Sequence, residues 1–102
     1  MCSSAFRWYG FAVELLWTAD ADREMVALER DPVASPLQAV RRALARLESD
    51  PNEPRLGTRL FVTEGLGHVR ATPTGGGDWY ILWQSGPGAE AITILHVIEL
   101  SI

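Results

Sequence analysis

The sequence has no lysine, one cysteine and no long apolar run, and each absence excludes a class of protein. No stretch approaches the roughly 20 apolar residues that a membrane-spanning helix needs. Cys2 has no intrachain partner, so a disulfide framework is excluded, and a lone thiol beside the N-terminus fits a reducing compartment. The first ten residues, Met1 to Gly10, lack the cationic head and apolar stretch of a secretory signal, and the protein is expected in the cytoplasm. Positive charge is also scarce. Nine basic residues, all of them Arg, stand against thirteen acidic ones, for a net charge of −4 with His neutral. Nucleic-acid binders usually carry a basic excess, because neutralising phosphates supplies much of their affinity. Any role on RNA must therefore rest on a local group of arginines.

What is present is enough for one domain spanning residues 1–102. Apolar residues make up 47% of the chain and charged residues 22%, a globular composition. Phe6 to Trp17 reads as a strand, with Tyr9, Phe11, Val13 and Leu15 on one face at period two. Thr18 is a helix cap, and Asp20 and Asp22 favour the positive end of a helix dipole; the helix is predicted from Ala19 to Arg30. Asp31-Pro32 stops it. Ser35, Pro36 and Gln38 start a second helix, in which Leu37, Val40, Leu44 and Leu47 form one apolar stripe reaching about Glu48.

The second half changes character. Ser49 to Gly57 is a Pro-containing loop, and Thr58–Thr63 alternates only weakly, as a short strand or an extended loop. Gly67–Thr72 and Asp78–Gln84 flank a break that contains Gly75, Gly76 and Gly77, which predicts a β-hairpin. Ala91–Glu99 is a final β-branched strand. Helices followed by strands joined through short turns predict an α+β fold: an antiparallel sheet of four or five strands packed by an N-terminal pair of helices, in the order β-α-α-β-β-β.

Several of these stretches resemble the RelE/ParE superfamily of bacterial toxins from toxin–antitoxin modules. Val13 to Thr18, leading into the Asp-rich helix, resembles that family's first strand and helix start. Leu44-Ala45-Arg46-Leu47-Glu48 followed by Asp50-Pro51 resembles the end of its second helix, and Gly57-Thr58-Arg59-Leu60 a short basic element before the hairpin. Gly77 to Trp83 resembles its Gly-Asp-Tyr-Arg-Val-Leu-Tyr strand, and Ile94 to Val97 its last strand. The resemblance runs from about Phe11 to Val97. It implies a small cytoplasmic toxin neutralised by a cognate antitoxin, with one of two modes of action. One branch cleaves messenger RNA at the ribosome, and another poisons DNA gyrase without being a nuclease.

For the nuclease branch, attack of a ribose 2′-hydroxyl on the adjacent phosphate needs a base, cations around the phosphate and help for the leaving oxygen. The resemblance implies no metal and no cofactor. It assigns His68 as general acid or base, Arg70 as phosphate clamp and Tyr80 as a donor from the neighbouring strand, with Arg59 as a nucleic-acid contact. Arg42 and Arg46, off the Leu stripe of the second helix, are further candidate nucleic-acid contacts because the guanidinium is a planar, multi-donor group. His68 and Arg70, two residues apart on a strand, share a face, and Tyr80 is expected beside them. Two residues depart from the family pattern: Tyr80 replaces an Arg, and Glu99 lies near where a basic residue belongs. Those losses of positive charge favour the alternative, a non-enzymatic interaction protein: a gyrase inhibitor, or a catalytically inactive relative that only binds an antitoxin or another partner. The plain readings are a surface role for His68, an ordinary solvated helix face for Arg42 and Arg46, and a packed, hydrogen-bonded His96.

Overall fold

In the computed structural model, which describes residues 13–30, 36–86, 88 and 90–100, Thr18 separates strand β1 (Glu14–Trp17) from helix α1 (Ala19–Arg30). Its hydroxyl accepts the Ala21 N–H at 3.1 Å, satisfying one of the helix's open donors, and donates to the Leu95 carbonyl at 2.9 Å. One side chain thus caps the helix and ties its start to a strand nearly eighty residues away. Helix α2 (Pro36–Ser49) buries Val40, Leu44 and Leu47 along the predicted stripe, flanked by Ala39 and Ala43. Tyr9, Phe11, the Asp31-Pro32 stop and the Ser35 cap lie outside the described residues.

A 3-10 turn over Pro54–Leu56 leads into four strands: β2 (Arg59–Thr63), β3 (Gly67–Pro73), β4 (Trp79–Ser85) and β5 (Ala91–Glu99). The segment left open between strand and loop is strand β2. Between β3 and β4, Thr74 accepts the Gly76 N–H at 3.2 Å and donates to the Trp79 carbonyl at 3.0 Å. Gly76 itself is pressed onto the start of α2, where an added Cβ would lie 2.8 Å from that of Ala39.

The five strands form one sheet in the order β1-β5-β4-β3-β2. The last four pair antiparallel, but β1 runs parallel to β5, so the sheet is mixed and not the wholly antiparallel one expected. Alternation in a sequence says which face a residue takes and nothing about the direction of the neighbouring strand. Thr18 continues that parallel ladder, its N–H reaching the Ile94 carbonyl at 3.1 Å.

Both helices lie on one face of the sheet. Leu28 of α1 and Val40, Leu44 and Leu47 of α2 share a core with Ile81, Trp83, Ile92, Ile94 and Val97, and Val13 and Leu15 pack at its margin. Trp83, 1% exposed, donates its indole N–H to Thr72 at 2.8 Å, and the Thr72 and Thr58 hydroxyls bond to one another at 2.6 Å. Thr72 is the buried polar residue of this core, and the two bonds meet its need for partners. Among the described residues no helix is long and apolar enough to cross a membrane.

Candidate functional site

The pleat decides which candidate residues can meet. In β3, His68, Arg70 and Thr72 point to one face and Val69, Ala71 and Pro73 to the other. Arg70 is paired with Trp83 and Thr72 with Ile81, so the His68–Arg70 face is the one that carries the helices. Tyr80 is paired with Pro73 and points to the opposite face. The structure therefore brings His68 and Arg70 to one side and Tyr80 to the other, correcting the expectation that the phenol stands beside them. The physical reason is register: the length of the Thr74–Asp78 connection pairs Tyr80 with an odd-numbered residue of β3, and one residue of slip would have reversed its face.

Arg70 is half-buried, with its guanidinium carbon 5.3 Å from the centre of the Trp83 ring, close enough for cation–π attraction. It lines a depression of about 250 Å³ together with Pro51, Asn52, Glu53, Pro54, Thr58 and Leu60. Among the described residues no carboxylate forms an ion pair with it. Glu53 still brings negative charge to the same depression, and its carboxylate accepts the Arg55 N–H at 3.2 Å. His68 is exposed on the outer part of β3, opposite Val62 of β2.

The other arginines do not join this site. Arg59 is paired with Ala71 and so lies on the Tyr80 face. Arg42 and Arg46 are exposed on the side of α2 away from its buried stripe, and Arg46 shares a shallow depression with Arg55 and the acids Asp50 and Glu53. Arg41 reaches across to Glu29 of α1 at 3.5 Å. Positive charge is thus spread over both sheet faces and a helix surface.

Two features escaped the sequence reading. The first is Glu24 of α1, whose carboxylate accepts the Val97 N–H at 2.8 Å and lies 3.1 Å from His96 Nδ1. His96 is the hydrogen-bonded histidine the sequence suggested, but nothing local identified its partner 72 residues away. The second is the exposure of consecutive apolar residues in β2, with Leu60 at 56%, Phe61 at 40% and Val62 at 74%. The signal was available: a strand whose alternation is weak lacks a single face to bury.

No protein-family model matches the chain, and no curated protein matches it by sequence. Solved structures do match. A YoeB/ParE toxin from Agrobacterium tumefaciens aligns with a TM-score of 0.69 at 7% identity, over 86% of this chain and 99% of that one. A chain of an archaeal RelE–RelB complex from Pyrococcus horikoshii OT3 aligns at 0.60 and 15% identity, over 86% of this chain and 94% of that one. A chain of the chromosomal ParDE TA system from P. aeruginosa aligns at 0.59 and 14%, over 88% and 98%. At such identities the shared property is the path of the backbone, and that path runs the length of all three proteins: the chain has the RelE/ParE-type toxin fold.

Proposed function

We propose that the chain is the toxin half of a toxin–antitoxin pair in the cytoplasm, and that it acts by binding its target and not by cutting RNA. Two of the matching structures are a RelE–RelB complex and a ParDE TA system, which supports a protein antitoxin as partner. The observation that carries the binding mode is the separation of His68 and Arg70 from Tyr80 by the thickness of the sheet. Cleavage by an internal hydroxyl needs base, cation and donor around one phosphate. Here those groups stand on opposite faces, and the depression that holds Arg70 also holds the Glu53 carboxylate. A gyrase-type target fits this arrangement better than messenger RNA on the ribosome.

Induced expression in a bacterial host tests both parts. Growth arrest is expected, with relief by the co-expressed neighbouring antitoxin gene. Mapping of message ends should find no new cuts, and His68→Ala and Arg70→Ala should still arrest growth. Cuts that vanish in Arg70→Ala would restore the nuclease reading. A folded chain that leaves growth untouched would remove the toxin reading itself.

A further inference from the structure

β2 is an outer strand of the sheet, and all five of its residues are exposed. An uncovered strand edge offers its amides and carbonyls to any other strand, so proteins that leave one in water blunt it with charge, proline or a bulge. β2 has none of these between Leu60 and Val62, and its pairing with β3 is regular from Arg59 to Thr63. The opposite edge is treated otherwise: β1 is four residues long and opens on Glu14, an exposed charge. Three adjacent exposed apolar residues on a regularly paired edge are a surface that another strand should cover.

The pattern of β2 says which strand. Set antiparallel to itself about Phe61, each Leu60 meets a Val62 and Phe61 meets its own copy. At the ends, Arg59 meets Thr63, so no charge is set against an apolar residue or against its own copy. Moving the centre by one residue either way sets an apolar residue against Arg59 and Thr58, or against Thr63 and Glu64. The faces agree as well. Leu60 pairs with Arg70 and Val62 with His68, so both lie on the helix-bearing side, while Phe61 lies on the other. A two-fold axis perpendicular to the sheet preserves those sides. Because the centre is a residue, the pairing works whichever alternate amides of β2 point outward.

We infer that the partner of this edge is a second copy of the chain, joined β2 to β2 so that two five-stranded sheets become one of ten strands. The inference is independent of the toxin reading, since it concerns the isolated protein and needs no cellular target.

The test uses the full chain with Cys2→Ser, so that no native thiol interferes. Light scattering or sedimentation at tens of micromolar should give the mass of a dimer, and Val62→Lys should weaken the association at least tenfold without altering the circular dichroism of the fold. Residues opposite one another across antiparallel strands have Cα atoms about 4.5–5.5 Å apart, within the range a disulfide bridges. Phe61→Cys should therefore form an interchain disulfide under mild oxidation, as should the double substitution Leu60→Cys with Val62→Cys, and either of those alone should cross-link far less. A monomer at these concentrations overturns the inference, as does a dimer indifferent to Val62→Lys or equal cross-linking at positions 60 and 61. So does a folded monomer whose β2 is covered only by a different chain, which assigns the edge to that chain.

Discussion

An inner strand of the sheet and an outer one are built from similar residues and meet opposite fates. Ile92, Ile94 and Val97 of β5 are buried beneath the helices, whereas Leu60 and Val62, on the same face of β2, are exposed to solvent. Two helices packed about 10 Å apart cover a strip on the order of 20 Å wide. Five strands at about 4.8 Å spacing need nearly all of that between their outer axes alone. One margin must go short, and the anchors decide which. Thr18 fastens the start of α1 to β5, Glu24 fastens its middle, and the Val13 N–H reaches the Glu48 carbonyl near the end of α2 at 2.8 Å. All three anchors lie at the β1–β5 end, so the uncovered strip falls at β2. Hydrophobicity set which residues seek cover; hydrogen bonds to the helices set which of them receive it.

The largest effect should come from the middle of the covered strip. Trp83→Ala removes a fully buried ring from the centre of the core and takes away the indole donor that bonds Thr72. Such truncations cost about 3–5 kcal/mol, and the loss should appear as a lower midpoint in urea unfolding with little change in slope. A small change would mean that this strip is loosely packed, and the contrast between the two ends would fail.

Much of this arrangement was legible in the residues. Ala19–Arg30 and the Val40, Leu44 and Leu47 stripe were readable because capping and a 3.6-residue period are local properties. The hairpin and β5 were readable for the same reason, through turn glycines and β-branched runs. The facing of Tyr80 was not, because it depends on the parity of the β3–β4 register. That parity is settled by how Thr74 closes the turn and how Gly76 seats against Ala39. The parallel direction of β1 was not legible either, since it rests on pairing with β5, which is more than seventy residues further along the chain. The facing of side chains along one strand was therefore legible, and their meeting across strands was not. His68 and Arg70 share a face as their spacing requires, and Tyr80 does not join them.

An intermediate effect is expected where the covered end is closed by a side chain in place of a strand. β1 stops at Trp17 opposite Ile94, and beyond that point Glu24 supplies the acceptor for the Val97 N–H. Glu24→Ala leaves that amide and the His96 ring without this partner, at a cost of about 1–3 kcal/mol. Glu24→Gln keeps an acceptor for Val97 and should cost less. Hydrogen exchange separates this from a general loss of stability: in Glu24→Ala the Val97 amide should exchange faster relative to the amides of β4. Uniform acceleration across the sheet would show that Glu24 supports the core at large and does not close an edge.

The smallest effect should fall on β2, and its dependence on concentration carries the information. Val62 is 74% exposed, so at high dilution, where copies are apart, Val62→Ala should move the unfolding free energy by no more than about 0.5 kcal/mol. A dimer gains apparent stability with protein concentration, because only the folded state binds its partner. The parent chain should therefore unfold at higher urea as it is concentrated, and Val62→Ala should follow it less steeply, so that two coincident midpoints draw apart. Trp83→Ala behaves differently, since its deficit is already complete in the isolated chain and does not need a second copy to appear. If the Val62→Ala midpoint were instead low at every concentration, β2 would already be packed within a single chain, and the two ends of the sheet would be equally covered.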